Sequence, residues 1–208
     1  MVKYNSKEKV SEFKLNMLLI YKTYTDNIKN IDDKVNKLIK EYRSFCGTSE
    51  INDKNCKLIG EYAKISISYG MIQSGITQMY NLFEQFLKVY LNINLNYNFE
   101  KIKNILKEYN YVYEDNTYYK QVDKFRMINN AIKHGGIKKL KKEYPELINN
   151  IKENNKFGTI LDNKLKISER ELDECRNCLC EFIQEYIALV EDWIEFYNTK
   201  RLKNRKKF

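Results

Sequence analysis

The chain has a single histidine, His134, and its neighbours suggest a chemistry. Asn129-Asn130-Ala131-Ile132-Lys133-His134-Gly135-Gly136 gathers polar and small residues around what reads as a helix end. Arg126 lies two turns earlier. Arg126, Asn130 and His134 are spaced four and four, so they drift by only about 40° per step along one helical face. The chemistry such a face could support is phosphodiester cleavage in RNA. An imidazole can take or give a proton near neutral pH. A guanidinium can hold a phosphate through two hydrogen bonds and stabilise developing charge, and Asn129 and Asn130 can orient either partner. RNA brings its own nucleophile, the 2′-hydroxyl, so the reaction needs no metal. One imidazole does not easily serve as both acid and base to different oxygens, so this reading implies a composite site in a two-fold homodimer. The plainer assignment is a histidine that caps its helix or bonds a core carbonyl.

Other residues with chemical potential are fewer. Glu84 sits between Phe83 and Phe86 and could pair with Arg126 or orient His134; equally, it could be a partly exposed acid at the edge of an apolar stripe. Cys175, Cys178 and Cys180 invite a zinc reading. Cys175 and Cys178 share a helix face, Cys180 points away, and only Cys46 and Cys56 remain, so four ligands do not converge. We therefore expect no metal and no other cofactor, and read the cysteines as small core residues. Tyr111, Tyr113, Tyr118 and Tyr119 are the candidates for stacking on bases. No Gly-rich phosphate loop, GxSxG or HExxH occurs.

The segment Arg126-Met127-Ile128-Asn129-Asn130-Ala131-Ile132-Lys133-His134-Gly135 resembles the signature helix of the HEPN superfamily. Tyr80-Asn81-Leu82-Phe83-Glu84-Gln85-Phe86-Leu87-Lys88 resembles the helix that precedes it there. The resemblance covers roughly residues 65–134. It implies a helical bundle and a metal-independent endoribonuclease acting as a dimer, of the kind found in toxin–antitoxin, CRISPR-linked and anti-phage systems. The family motif is Arg, four to six residues, then His, with a polar residue after the Arg. His134 matches the His, and Asn130 matches the polar residue. The Arg slot holds Asn129, and Arg126 stands one turn earlier. Either Arg126 reaches the site from that turn, or the chain is a divergent member with weak or no nuclease activity. Some family toxins carry a Tyr two residues after the His that a partner enzyme modifies; position 136 is Gly here.

These residues need elements to position them. With 208 residues, 43% hydrophobic and 31% charged, the chain can bury a core. One Pro and seven Gly are too few for a many-turned sandwich or barrel and point to long helices. From Ser6 to Phe45, Val10, Met17, Tyr24, Ile31 and Leu38 interleave with Tyr21, Ile28, Val35 and Tyr42. This predicts one long helix, or two broken near Thr25-Asp26-Asn27. A second stripe, from Leu58 through Tyr62, Ile65, Tyr69, Ile72, Ile76, Met79, Phe83 and Phe86 to Tyr90, predicts a helix to Leu91. Gly70 and Gly75 lie off it and could allow close helix contact. Asn98 could cap a short helix to Tyr109. The site helix is expected over 117–134, stopped by Gly135-Gly136. A basic run follows at Lys138–Lys142, then a short helix over 146–151 opened by Pro145. Residues 159–167 read as a small hairpin turning at Asp162-Asn163. Ser168 with Glu171 forms a capping box that opens a last helix, striped by Leu172, Cys175, Leu179, Phe182, Tyr186, Val190, Trp193 and Tyr197.

The expected fold class is therefore all-α: a HEPN-like helical bundle with a long N-terminal helix. Residues 1–57 form that helix and a loop packing on the bundle, 58–199 form the bundle, and 200–208 form a basic tail. The tail holds six positive charges and no acid, out of a net charge of +9. It can attract nucleic acid, or it can simply fray. No run of eighteen apolar residues predicts a membrane span. The first residues carry no secretory pattern, and five cysteines without framework spacing suit reduced thiols in a cytoplasm. The functional expectation is a ribonuclease with Arg126, Asn129, Asn130 and His134 catalytic. Lys133, Lys138 and Lys139 would guide RNA, and an antitoxin or defence partner would restrain the enzyme. The rival is a non-catalytic HEPN-like binding or scaffolding module whose long N-terminal helix makes an interface.

Overall fold

The computed structural model describes residues 6–46, 53–90, 99–108, 111–135, 137–149, 164–165 and 167–205. Seven α-helices account for nearly all of these. They are α1 (Ser6–Lys29), α2 (Ile31–Cys46), α3 (Asp53–Tyr90), α4 (Phe99–Glu108), α5 (Tyr119–His134), α6 (Lys138–Glu143) and α7 (Glu169–Arg205). Two 3-10 turns, Tyr113–Asp115 and Pro145–Leu147, and one pair of two-residue strands, β1 (Ile148–Asn149) and β2 (Lys164–Leu165), complete them. The fold is an all-α helical bundle.

The apolar stripes become its core. Phe13, Met17 and Ile28 of α1 pack with Ile72, Ile76, Met79, Tyr80, Phe83 and Leu87 of α3, and with Leu172, Cys175, Leu179, Phe182, Ile183 and Tyr186 of α7. Helix α1 runs antiparallel to α3: Phe13 meets Phe86 at 4.8 Å between ring centroids, and Tyr24 lies over Gly75. Helix α7 runs parallel to α3: Leu172 lies over the same glycine, and Phe83 meets Phe182 at 5.4 Å, edge to face. Gly75 is thus the crossing point of three helices. A Cβ there would sit 2.6 Å from Leu172 Cδ1. Gly70 meets nothing within 4 Å, so only one of the two glycines expected to allow close contact does so.

The N-terminal stripe divides into two helices at Asn30, a few residues beyond the expected break. The polar residues near the expected break are satisfied inside α1. Thr25 Oγ1 donates to the Tyr21 carbonyl at 3.0 Å and Asn27 Nδ2 to the Thr23 carbonyl at 2.7 Å, so neither forces the backbone out of the helix. Asp32 and Asp33 then favour a new N-terminus. Helix α3 starts at Asp53 rather than near Leu58, because a stripe marks the apolar face and not the helix end.

The region between α5 and α7 departs most from expectation. Lys138–Glu143 is helical, and Pro145 opens a 3-10 turn rather than a helix to residue 151. Ile148 pairs with Leu165 in antiparallel register, both buried, so β2 finds its partner upstream and not across a local turn. Asp162, Asn163, Gly136, the expected loop residues Asn92–Asn98, the side chains of Val190, Trp193 and Tyr197, and the end of the tail lie outside the described residues. The capping box forms as expected: Glu171 accepts from the Ser168 N–H at 2.7 Å, and Ser168 Oγ accepts from the Arg170 N–H at 3.3 Å.

Candidate nucleic-acid interface

The helix that carries His134 is fixed at both ends. Before it, buried Asn116 donates through Nδ2 to the Tyr111 hydroxyl at 2.9 Å and to the Phe182 carbonyl at 3.4 Å, while its Oδ1 accepts from the Tyr118 N–H at 2.9 Å. The Thr117 N–H donates to Glu185 at 3.0 Å, tying the entry of α5 to α7. After it, Gly135 takes a left-handed conformation (φ 66°), and its N–H bonds the Ala131 carbonyl at 2.9 Å. A side chain with a Cβ would be strained there, so the glycine sets where α5 stops.

Between these ends the helix has two distinct faces. Val122, Phe125, Met127, Ile128, Asn129 and Ala131 point inward, whereas Asn130, Lys133 and His134 are exposed. Asn130 and His134, one turn apart, share the open face. His134 has no hydrogen-bond partner among the described residues. Asn129 is 1% exposed, and its Oδ1 has no partner among them either.

Arg126 belongs to the interior edge. Its Nε donates to Asp123 Oδ1 at 2.6 Å, with both side chains only 17% exposed. Burial opposes its charge, but the Asp123 hydrogen bond and carboxylate, helped by Tyr80 and Glu100, outweigh that and raise its pKa. Eight residues of helix, about 12 Å of rise, separate it from His134. Its guanidinium bonds back towards the N-terminal end of α5, away from the histidine.

Glu84 lies on α3 close to these cations. Burial raises its pKa, and Lys88, Lys133 and Arg126 partly offset the effect. Lys133 Nζ donates to Asn81 Oδ1 at 2.7 Å, so this lysine joins α5 to α3 as well as facing solvent. Lys138 is exposed, and Lys139 lies 4.0 Å from Glu143 with most of its side chain open. Lys141 and Lys142 are exposed on the same short helix, so α6 presents more cations than the expected Lys138 and Lys139. The signal for them was the run Lys138-Lys139-Leu140-Lys141-Lys142, in which Leu140 is the buried anchor.

The tyrosines divide as well. Tyr111 and Tyr113 are core residues, not stacking platforms: Tyr111 packs edge to face on Tyr186 at 4.8 Å, and Tyr113 sits against Phe182 at 4.8 Å. Burial pushes both phenols well up. Tyr118 and Tyr119 are half-buried, with Tyr119 edge-on to Tyr113. Cys175 and Cys178 are buried free thiols whose pKa burial raises, and Cys180 is pushed up to about 11 for the same reason. Among the described residues no cluster of three His, Cys, Asp or Glu could hold a metal ion.

The structure thus exposes Asn130 and His134 on one face of α5 and the lysines on α6, and keeps Asn129 buried and Arg126 largely so. Comparison with protein-family models, curated proteins and solved structures returned no match. Among the described residues no helix is long and apolar enough to cross a membrane.

Proposed function

We propose that this chain is a HEPN-like, metal-independent endoribonuclease that works as a two-fold dimer. The observation that carries the reading is the open face of α5. The chain's only histidine lies exposed one turn from Asn130, at the head of the lysine-rich α6. In the proposed reaction the 2′-oxygen of RNA bonds to phosphorus and the bond from phosphorus to the 5′-oxygen breaks, leaving a 2′,3′-cyclic phosphate and a 5′-hydroxyl. His134 of one copy takes the 2′-hydroxyl proton, and His134 of the second gives a proton to the departing oxygen. Asn130 orients the phosphate, and Lys133, Lys138 and Lys139, with Lys141 and Lys142, hold the backbone. Arg126 and Asn129 act from behind the surface as positioning residues that fix α5. The setting is a cytoplasmic toxin or anti-phage effector restrained by a partner protein. Family resemblance supports this setting, and the free thiols agree with it.

A second reading, a non-catalytic HEPN-like RNA- or protein-binding module, is favoured by one feature. Arg126, the arginine of the site helix, pairs with Asp123.

RNA cleavage in EDTA by the wild type, His134→Ala and Asn130→Ala separates the two. Cleavage that survives chelation, leaves cyclic ends and disappears in His134→Ala supports the nuclease. A folded protein that binds RNA without cutting it supports the module. Cleavage unchanged by His134→Ala overturns the placement of the site.

A further inference from the structure

Helix α7 outruns the helices packed along it. It is continuous from Glu169 to Arg205. Phe182 meets Phe83 of the parallel helix α3, so Tyr90, seven residues on, ends α3 opposite residue 189. Lys14 of the antiparallel helix α1 meets Glu181 and Gln184, so Ser6, eight residues back, falls opposite residues 189–192. Among the described residues, α1 and α3 therefore both stop there, and α7 runs on for about 20 Å. Residues 200–205, expected to belong to a basic tail, are the last turns of this helix. They carry Lys200, Arg201, Lys203 and Arg205, and no acid occurs anywhere from 196 to 208.

We propose that this helical extension is a phosphate-contacting element for nucleic acid, separate from the surface that carries His134. Its charge pattern supports this partner. Lys200 with Lys203, and Arg201 with Arg205, are like charges at helical spacing and repel each other, so a bound polyanion relieves a strain the chain itself does not. The helix macrodipole favours cations in the last turn alone, which accounts for Lys203 and Arg205 but not for Lys200 and Arg201. At 3.6 residues per turn, the four positions spread over about 200° of the helix circumference. A membrane surface or a flat acidic protein surface meets one side of a helix. Membrane binding also needs an apolar face, and Leu202 is the one apolar residue from 200 to 205. A nucleic-acid groove presents phosphates on several sides at once, and the major groove of B-DNA is as wide as a helix with its side chains. Binding of this kind acts through counterion release and is indifferent to sequence.

The extension and His134 lie at opposite ends of the bundle. Helix α5 runs antiparallel to α7, since Thr117 bonds Glu185 and Lys124 bonds Glu174. His134, ten residues beyond Lys124, therefore lies towards the Glu169 end. From Glu169 to Lys200 the helix rises about 45 Å. The proposal does not depend on the nuclease reading, and the two surfaces can be tested separately.

The test is fluorescence anisotropy at several salt concentrations, with a labelled duplex DNA and a labelled single-stranded RNA as probes and circular dichroism to check folding. The quadruple variant Lys200→Gln, Arg201→Gln, Lys203→Gln and Arg205→Gln should bind about tenfold or more weakly at low salt. Its slope of log affinity against log salt should fall by about 0.9 for each phosphate released on duplex DNA, or about 0.7 on a single strand. The charge-keeping variant Lys200→Arg with Lys203→Arg should bind as the wild type does. An RNA of about six nucleotides, about 20 Å long when stacked, cannot reach both places, so any cleavage of it should be equal in the quadruple variant and the wild type. Loss of that cleavage in a folded variant overturns the separation of the two surfaces. Equal affinity and slope for the quadruple variant and the wild type, or no binding by either, overturns the proposal. So does a deficit seen only with vesicles of phosphatidylserine and phosphatidylcholine, which would assign the extension to lipid. If the wild type cuts no RNA, the nuclease reading fails while the binding comparison still decides this one.

Discussion

At the scale of single residues, the pairing of Arg126 with Asp123 separates what looks catalytic from what holds the helix. Breaking a largely buried pair leaves a charge without its partner. Asp123→Ala should therefore cost about 2–4 kcal/mol in thermal or denaturant unfolding, more than the apolar double replacement Asp123→Leu with Arg126→Met. Glu84 makes an opposite kind of prediction. Its folded pKa is raised by burial, so the folded state binds its proton more tightly than the unfolded state does. Stability should fall as pH rises through the window between the ordinary carboxylate pKa and the raised folded one. Glu84→Gln should therefore be more stabilising at pH 7 than at pH 4, as a series of melting curves would read. The sequence made Arg126, Asn130 and His134 visible as one face, because helical spacing alone fixes angle. It did not reveal that Arg126 would bond Asp123, three residues back and on its own helix. The i, i+3 spacing allows that pair, but how deeply the two side chains are buried is set by the tertiary fold, which no local pattern encodes.

At the scale of elements, caps and stops were legible because they act over three or four residues. Gly135 and the Ser168–Glu171 box formed where expected. Pairings across distance were not legible: β2 reads equally well as half of a local hairpin or as the partner of Ile148, and only the tertiary fold selects. The two glycines of α3 show the same limit. Gly75→Ala should destabilise by about 1–3 kcal/mol because the added methyl meets Leu172 and Tyr24, even though alanine is the better helix former. Gly70→Ala, with open space around it, should instead stabilise by about 0.5–1 kcal/mol. Melting the two variants side by side checks both. The two-helix arm of α2 and the first half of α3 buries Ile31 and Val35 but leaves Leu58, Tyr62 and Ile65 exposed. Its amides should exchange with solvent at lower opening free energy than those of α3 beyond Ile72 in the dilute monomer.

At the scale of the whole molecule, the uneven charge sets what the protein can attract. The net charge is +9, six of it in the last nine residues, and α6, shortly after His134 in the chain, exposes four further lysines. If RNA follows α6, charge removal at Lys138, Lys139, Lys141 and Lys142 should lower the slope of log affinity against log salt by about 0.7 for each phosphate that is no longer neutralised. A titration at several ionic strengths measures it. An unchanged slope would put the nucleic acid elsewhere. All-α architecture was readable at this scale from the stripes and the scarcity of Pro and Gly. The bare end of α3 was not, since its residues repeat the same pattern whether or not a neighbour covers them.

The knot at Asn116 carries a consequence for the order in which the protein matures. The turn that launches α5 is closed by a carbonyl 66 residues later in the chain, on α7. Local contacts can form as the polypeptide emerges during translation, but this one waits until Phe182 has been made. Until α7 docks, the start of the segment bearing His134 keeps its local bonds to Tyr111 and Tyr118 but lacks its ties to Phe182 and Glu185. The surface proposed to meet RNA is therefore completed only after α7 has been made, and a nascent chain should be inert until α7 is released.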